Sequence, residues 1–317
     1  MNAVADALQQ SKIEFTSIFG IDDNKKLAAF TLRNVQIKQM HVQDIRMLDL
    51  ALLDETDVFQ FSPPCVRFSA SGNGDGGGNL DIELLNPCFQ YIAKKQPAVW
   101  VYENVARVKS KKFEIYVDKL LRKARKVANS AYHVHEMILN AFKVGGVPNS
   151  RNRYYVVGIK RVCVLPGREF KTPGNIPVQK LAHFIDMDNF GDSLPSDRVG
   201  VRNLLGGFKK IVSSGGNPLK ESWFIDRWAS PSRQYAVKGI CPCITSSRGS
   251  QGGFWLTRQN RMTDVDELLA LMRFQNKFQQ GRQAFGSAAL GKAVGNSINV
   301  TVLQRILMSA LHTVGLS

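Results

Sequence analysis

Phe61-Ser62-Pro63-Pro64-Cys65-Val66-Arg67-Phe68-Ser69 follows directly on the apolar run Val58 to Phe61 and precedes Ser71-Gly72-Asn73-Gly74-Asp75-Gly76-Gly77-Gly78. The run is short and apolar enough for a buried strand, and two prolines fix the backbone before Cys65. A cysteine at the C-terminal end of a parallel strand lies where open α/β sheets hold their ligands. Its thiol reads either as a nucleophile or as a buried core cysteine. The Ser71 to Gly78 segment reads as a closing lid or as an ordinary glycine-rich linker.

Similar apolar, β-branched and aromatic runs stand at Phe15 to Ile21, Val99 to Val101 and Tyr154 to Ile159. Helical patterns alternate with them. In Lys111 to Val127, apolar residues at 113, 116, 117, 120, 121, 124 and 127 share one helical face, while Lys and Arg crowd the other. Alternation of strand and helix predicts an α/β fold with a mainly parallel sheet. Tyr132 to Ile138 partly alternates and fits a strand or a helix. After about residue 165 the chain becomes rich in Gly, Pro and Ser, with Trp223, Trp228 and Tyr235 interspersed and few periodic segments. Helical periodicity returns at Val265 to Phe274 and Val300 to Leu311. The expected organisation is a first domain over residues 1–165, a small irregular domain over 166–253, and a return to the first domain over 254–317.

With 317 residues, 44% hydrophobic and 21% charged, the chain is no small disulfide scaffold and is not disordered throughout. No apolar run approaches the roughly 18 residues of a membrane span, and no signal-peptide core opens the chain. A soluble protein without membrane association is expected. The five cysteines, at 65, 88, 163, 241 and 243, lack CxxC spacing, which suggests reduced thiols and no zinc site. His133-Val134-His135 has no third ligand and reads as a polar strand face, so no metal is expected. The net charge of +16 favours a polyanionic partner, nucleic acid first, over a protein that is merely basic. Residues 160–260 hold 15 Lys and Arg against 7 Asp and Glu, a plausible nucleic-acid face.

Two further segments carry chemistry. Tyr102-Glu103-Asn104-Val105 ends an apolar strand with a carboxyl group, a proton donor or a hydrogen-bond acceptor. Gly146-Val147-Pro148-Asn149-Ser150-Arg151-Asn152-Arg153 places alternate arginines on an extended segment, to grip phosphate or a base carbonyl, or as solvated edge charges. In order and spacing, PPCxxFS at 63–69, ENV at 103–105, GVPxSRxR at 146–153 and Gly295-Asn296-Ser297-Ile298 resemble the motifs of the cytosine-5 DNA methyltransferase family. Arg261-Met262-Thr263, with the helix to Phe274, is similar to the segment that closes that family's target-recognition domain.

The resemblance implies an S-adenosylmethionine-dependent methyltransferase of α/β, Rossmann-like fold, with a mostly parallel sheet and a target-recognition domain inserted before the C-terminal helices. It implies transfer of methyl from S-adenosyl-L-methionine to carbon 5 of a flipped cytosine in double-stranded DNA by a monomer, of the kind found in restriction-modification. Cys65 is then the nucleophile that adds to carbon 6, and Glu103 hydrogen-bonds or protonates N3. Arg153, supported by Arg151, holds the base carbonyl and nearby phosphate. The cofactor positions carried over are Asp22 with Asp23, Asp44 with Ile45, Pro64, Leu80, Asn296 and Ser297, with Asp22 on the ribose hydroxyls and Asp44 on the adenine amine. A cytoplasmic prokaryotic or phage-like enzyme, or a nuclear one in a eukaryote, is expected.

Departures are Val66 and Asn149, each where the family usually has Gln, and Gln43 where it usually has Gly. The FxGxGG segment that opens the family's fold and binds the methionine part of the cofactor is absent. Asn2 to Ser11, with Ala3, Val4, Ala7 and Leu8 on one helical face, resembles the helix that follows it. The expectation is a truncated or misassigned N-terminus and weak cofactor binding by the chain alone. Two alternatives accompany this reading: a catalytically weak or inactive DNA-binding homologue, and an RNA cytosine-5 methyltransferase.

Overall fold

The computed structural model describes residues 2–69, 75–192, 194–230, 236–275 and 278–317. Residues 71–74 of the expected lid, and Tyr235, lie outside the described residues. In chain order the elements begin with α1 (Ala3–Gln10), β1 (Phe19–Ile21), α2 (Lys25–Asn34), β2 (Gln39–His41), β3 (Val58–Phe61), α3 (Asn79–Glu83), α4 (Leu85–Lys95), β4 (Val99–Val105) and α5 (Glu114–Ser130). They continue with β5 (Tyr132–Asn140), α6 (Ala141–Val144), β6 (Asn152–Lys160), α7 (Arg198–Ser213), β7 (Trp223–Ile225), β8 (Ala236–Lys238) and α8 (Ser246–Ser250). The chain closes with β9 (Trp255–Leu256), β10 (Arg261–Met262), α9 (Val265–Leu271), α10 (Gln279–Asn296) and α11 (Val300–Val314).

These elements gather into two compact units. One holds Ala7–Asn140, Asn152–Gly174 and Val302–Ser317. Its sheets are a parallel pair, β1-β2, and a mixed four-stranded sheet in the order β3-β4-β6-β5. Val58 pairs with Val99 in parallel, and β6 lies antiparallel to both β4 and β5. The sequence Val-Trp-Val-Tyr-Glu-Asn-Val of β4 is buried at six of its seven positions, as befits a central strand covered on both faces. One aromatic-rich core contains Phe59, Phe61, Tyr91, Trp100, Tyr102 and Tyr116. Phe19 of β1 joins it, its ring 5.5 Å from that of Tyr91 and 6.2 Å from that of Phe59. The partly alternating stretch from Tyr132 resolves as strand β5.

The other unit holds Met1–Asp6, Ala141–Arg151 and Asn175–Thr301. Its sheet runs β10-β9-β7-β8, all antiparallel, over a small core of Leu204, Ile211, Ile225 and Trp255. The stretch read as irregular contains the sixteen-residue helix α7, capped by the Asp197 side chain on the Gly200 amide. Helices α8 and α10 meet at backbone contact. A Cβ on Gly249 would stand 1.9 Å from the Gly291 carbonyl oxygen, and one on Gly295 would stand 2.2 Å from that of Thr245. Only glycine allows this approach.

Candidate active site

Parallel pairing of β3 with β4 brings their C-terminal ends together, because Phe61 is registered with Tyr102. The next residues of the two strands are Ser62-Pro63-Pro64-Cys65 and Glu103-Asn104. Asn104 Nδ2 donates to the Pro63 carbonyl at 3.4 Å, joining two motifs 41 residues apart. Cys65 is half-buried, and its carbonyl accepts from the amides of Phe68 (3.1 Å) and Ser69 (2.9 Å), so the chain turns immediately after the thiol. Burial pushes the Cys88 thiol up to about 12 and that of Cys241 well above its ordinary value, which keeps both protonated. Neither stands at a strand end.

Glu103 is 7% exposed, inside a strand that is apolar or aromatic at every other position but Asn104. Its partner is supplied by β6. Val105 opposes Arg153 across the antiparallel ladder, so Arg153 and Glu103 share a face diagonally, and Arg153 Nε meets Glu103 Oε1 at 3.1 Å. The Cys65 turn, Glu103 and Arg153 thus lie at one end of one sheet.

Arg151 serves differently. It is 3% exposed, and its guanidinium donates to the carbonyls of Ile244 (2.7 Å), Gly295 (3.2 Å) and Ser297 (2.5 Å). Asn149, next to it but one, donates Nδ2 to the Pro242 carbonyl at 2.9 Å. The two Arg151 bonds to Gly295 and Ser297 fix the turn Gly295-Asn296-Ser297, where Ser297 Oγ also donates to the Val294 carbonyl at 2.7 Å.

Of the expected cofactor residues, Asp22 follows β1. Its Oδ1 accepts the Asn24 amide at 2.8 Å, and burial raises its pKa despite that bond. Asp23 beside it is exposed. Asp44 follows β2 and is grasped by Arg46, whose Nη2 stands 2.6 Å from Oδ2. The Arg46 side chain and amide hold the Asp44 pKa down to about 2. Ile45 packs against the aromatic core, whereas Pro64 and Leu80 are exposed. Asn296 and Ser297 belong to the other unit. Among the described residues no group of three His, Cys, Asp or Glu could hold a metal ion, and no helix is long and apolar enough to cross a membrane.

Sequence reasoning missed what frames the glycine-rich segment. Arg67 Nη1 stands 3.3 Å from the buried carboxylate of Asp81, whose Oδ2 also accepts the Gly77 amide at 2.8 Å. Arg67 Nη2 donates to the Asp75 carbonyl at 3.0 Å. Gly76 returns its amide to the Arg67 carbonyl, and a Cβ there would stand 2.6 Å from the Phe68 ring. No local spacing signals these contacts, since the carboxylate comes fourteen residues after the arginine.

The chain is 26% identical to the type II methyltransferase M.Bsp6I of Bacillus sp. (strain RFL6), over 89% of this chain and 87% of that one. It is 24% identical to M.HaeII of Haemophilus aegyptius, over 86% and 80%. Among solved structures, the methyltransferase EhMeth of Entamoeba histolytica superposes with a TM-score of 0.63 at 15% identity, over 98% of this chain and 94% of that one. The Dnmt2 methyltransferase of S. pombe does so with a TM-score of 0.60 at 17% identity, over 98% and 95%. The profile described as C-5 cytosine-specific DNA methylase matches residues 4–312, nearly the whole length, and the chain belongs to that family.

Proposed function

We propose that this chain transfers a methyl group from S-adenosyl-L-methionine to carbon 5 of a cytosine flipped out of double-stranded DNA, with Cys65 as nucleophile. The observation that carries the reading is the assembly at the ends of β3, β4 and β6. Pro63 is tied to Asn104, and Glu103 to Arg153, so three separate motifs meet at one end of one sheet, where a flipped base would be received. All come from one chain, which supports a monomer acting on DNA.

Carbon 5 of cytosine is a poor nucleophile until something adds to carbon 6. The Cys65 thiolate forms the S–C6 bond, and electron density moves through the ring toward C5 and N3. Glu103, at the end of β4, meets N3 and holds the proton that relieves this charge, and Arg153 holds the base carbonyl beside it. The adduct makes C5 nucleophilic toward the methyl that a bound S-adenosyl-L-methionine would supply, its sulfonium leaving as the neutral thioether. Loss of the C5 proton to water and departure of the Cys65 sulfur as thiolate would restore the aromatic ring.

S-adenosyl-L-methionine supplies the electrophilic methyl when bound. The donor set fits its nucleoside end, with two carboxylates following adjacent parallel strands and Asp22 Oδ1 bonded only to a backbone amide among the described residues. Asp22 would accept from the ribose hydroxyls. Asp44 would receive the adenine amine in exchange for Arg46. Ile45, Pro64 and Leu80 would line the remainder. Residues 166–253 would form the recognition domain, supported by the basic surplus of residues 160–260.

Tritiated-methyl transfer to duplex DNA, with transfer RNA as competitor, tests the reading. Duplex DNA containing 5-fluorocytosine blocks loss of the C5 substituent and should trap Cys65 covalently. Cys65→Ala should trap nothing. Methylation of RNA alone, or trapping undiminished in Cys65→Ala, would overturn the proposal.

A further inference from the structure

The mechanism makes no use of the most cationic element of the chain. Residues 106–126 carry nine Lys and Arg against two acidic residues. Helix α5 buries Tyr116, Val117, Leu120, Leu121, Ala124 and Val127. On its other side Lys119, Arg122 and Lys126 are exposed and Lys123 is half-exposed. Their spacing is i, i+3, i+4 and i+7, one stripe on one face. Among the described residues no carboxylate comes within salt-bridge distance of any of the four, nor of Lys111 or Lys112. An ordinary solvated helix face alternates charge sign at i, i+4. Here like charges are stacked at that spacing, which destabilises the helix.

The stripe begins beside the nucleophile's loop. Phe68, three residues after Cys65, packs its ring 5.1 Å from Phe113 and 4.7 Å from Tyr116 at the start of α5. Arg107 Nη1 donates to the Ser69 carbonyl at 2.9 Å. From Lys111 to Lys126 the cations extend about 20 Å, at 1.5 Å per residue, which matches about six base pairs of one phosphate strand. We infer that this face of α5 is a docking track for the phosphate backbone of duplex DNA flanking the recognised word. The inference rests on the reading of DNA as substrate. Charge complementarity selects a polyanion, and contiguity with the Cys65 loop selects the DNA being methylated.

The test uses the full chain and a variant carrying Lys119→Gln, Arg122→Gln, Lys123→Gln and Lys126→Gln, its fold checked by circular dichroism and unfolding midpoint. Two duplexes contain a site that the wild type methylates, with flanks of about 12 or about 2 base pairs, lengths that bracket the track. On the long duplex the variant should lose about 3.6 from the slope of log affinity against log salt, at about 0.9 for each of four phosphate contacts, and bind at least about tenfold more weakly at low salt. On the short duplex affinity and kcat should match the wild type. Lys119→Arg with Lys123→Arg and Lys126→Arg should keep the full slope. Unchanged slope and affinity on the long duplex would overturn the inference, as would equal losses on both duplexes. Should the wild type methylate no DNA, the substrate reading fails by itself, while the binding slopes still judge the track.

Discussion

Arg151→Met removes a buried guanidinium that donates to three backbone carbonyls and keeps a side chain of comparable length. Hydrogen bonds to a charged group contribute about 1.5–3 kcal/mol each, so three give about 4.5 kcal/mol at the low end. Relief of the guanidinium's own desolvation offsets part of this, leaving an expected loss of about 3–4 kcal/mol. Against a typical total of about 5–15 kcal/mol, such a loss is large. Urea unfolding followed by tryptophan fluorescence suits the measurement, since Trp223, Trp228 and Trp255 share Arg151's unit and only Trp100 lies in the other. The midpoint should fall with an unchanged m-value in the main transition. Arg151→Lys should recover about half the loss, because one ammonium cannot reach three divergent carbonyls. A destabilisation below about 1 kcal/mol, joined to a tenfold or greater fall in kcat, would refute this reasoning and place Arg151 on the substrate.

Glu103→Gln keeps the shape beside Arg153 but removes the charge. It should lower kcat about 10²- to 10³-fold while DNA affinity changes less than about threefold, and equal losses in turnover and binding assays would contradict a transition-state role. Because burial raises the Asp22 pKa, its ionised form, the better acceptor for ribose hydroxyls, is lost on acidification sooner than an ordinary aspartate's would be. Calorimetric affinity for S-adenosyl-L-methionine should therefore decline as pH falls from 7 toward 4, and Asp22→Asn should flatten that decline. Gly76→Ala drives a methyl into the Phe68 ring and should slow methyl transfer in single-turnover assays with little change in global unfolding. A wild-type rate would show that the ring yields freely.

Some parts of this structure could be read from the chain and others could not, for identifiable reasons. Strands β4 and β6 were legible because central strands buried on both faces must be nearly continuous apolar runs, and the edge strand β3 because its short apolar run stops at a Pro-Pro turn. Cys65 and Arg153 stand out in the chain because each borders a strand beside a Pro- or Gly-containing turn, and Glu103 because it is a carboxylate within a largely apolar run. Helix α7 was not, because its buried face is built of Gly200, Asn203, Leu204, Gly207 and Ile211, and small or polar residues erase the apolar period. Helix α10 hides in the same way, with Gly291 and Gly295 on its contact face. The alternate arginines looked equivalent. They part company because Arg151 finds its carbonyls 93 to 146 residues away, a relation that no local pattern encodes.

The glycine contact between α8 and α10 limits how this protein can be engineered. Gly249 lies inside the stretch proposed for DNA recognition, so a library that randomises residues 166–253 evenly will fill with chains in which a methyl group and a carbonyl compete for one space. Retuned specificity is best sought with Gly249 held constant and diversity placed in the loops that precede Thr245. Gene shuffling should cut outside the span from Thr245 to Gly295, so that both sides of the crossing come from the same parent.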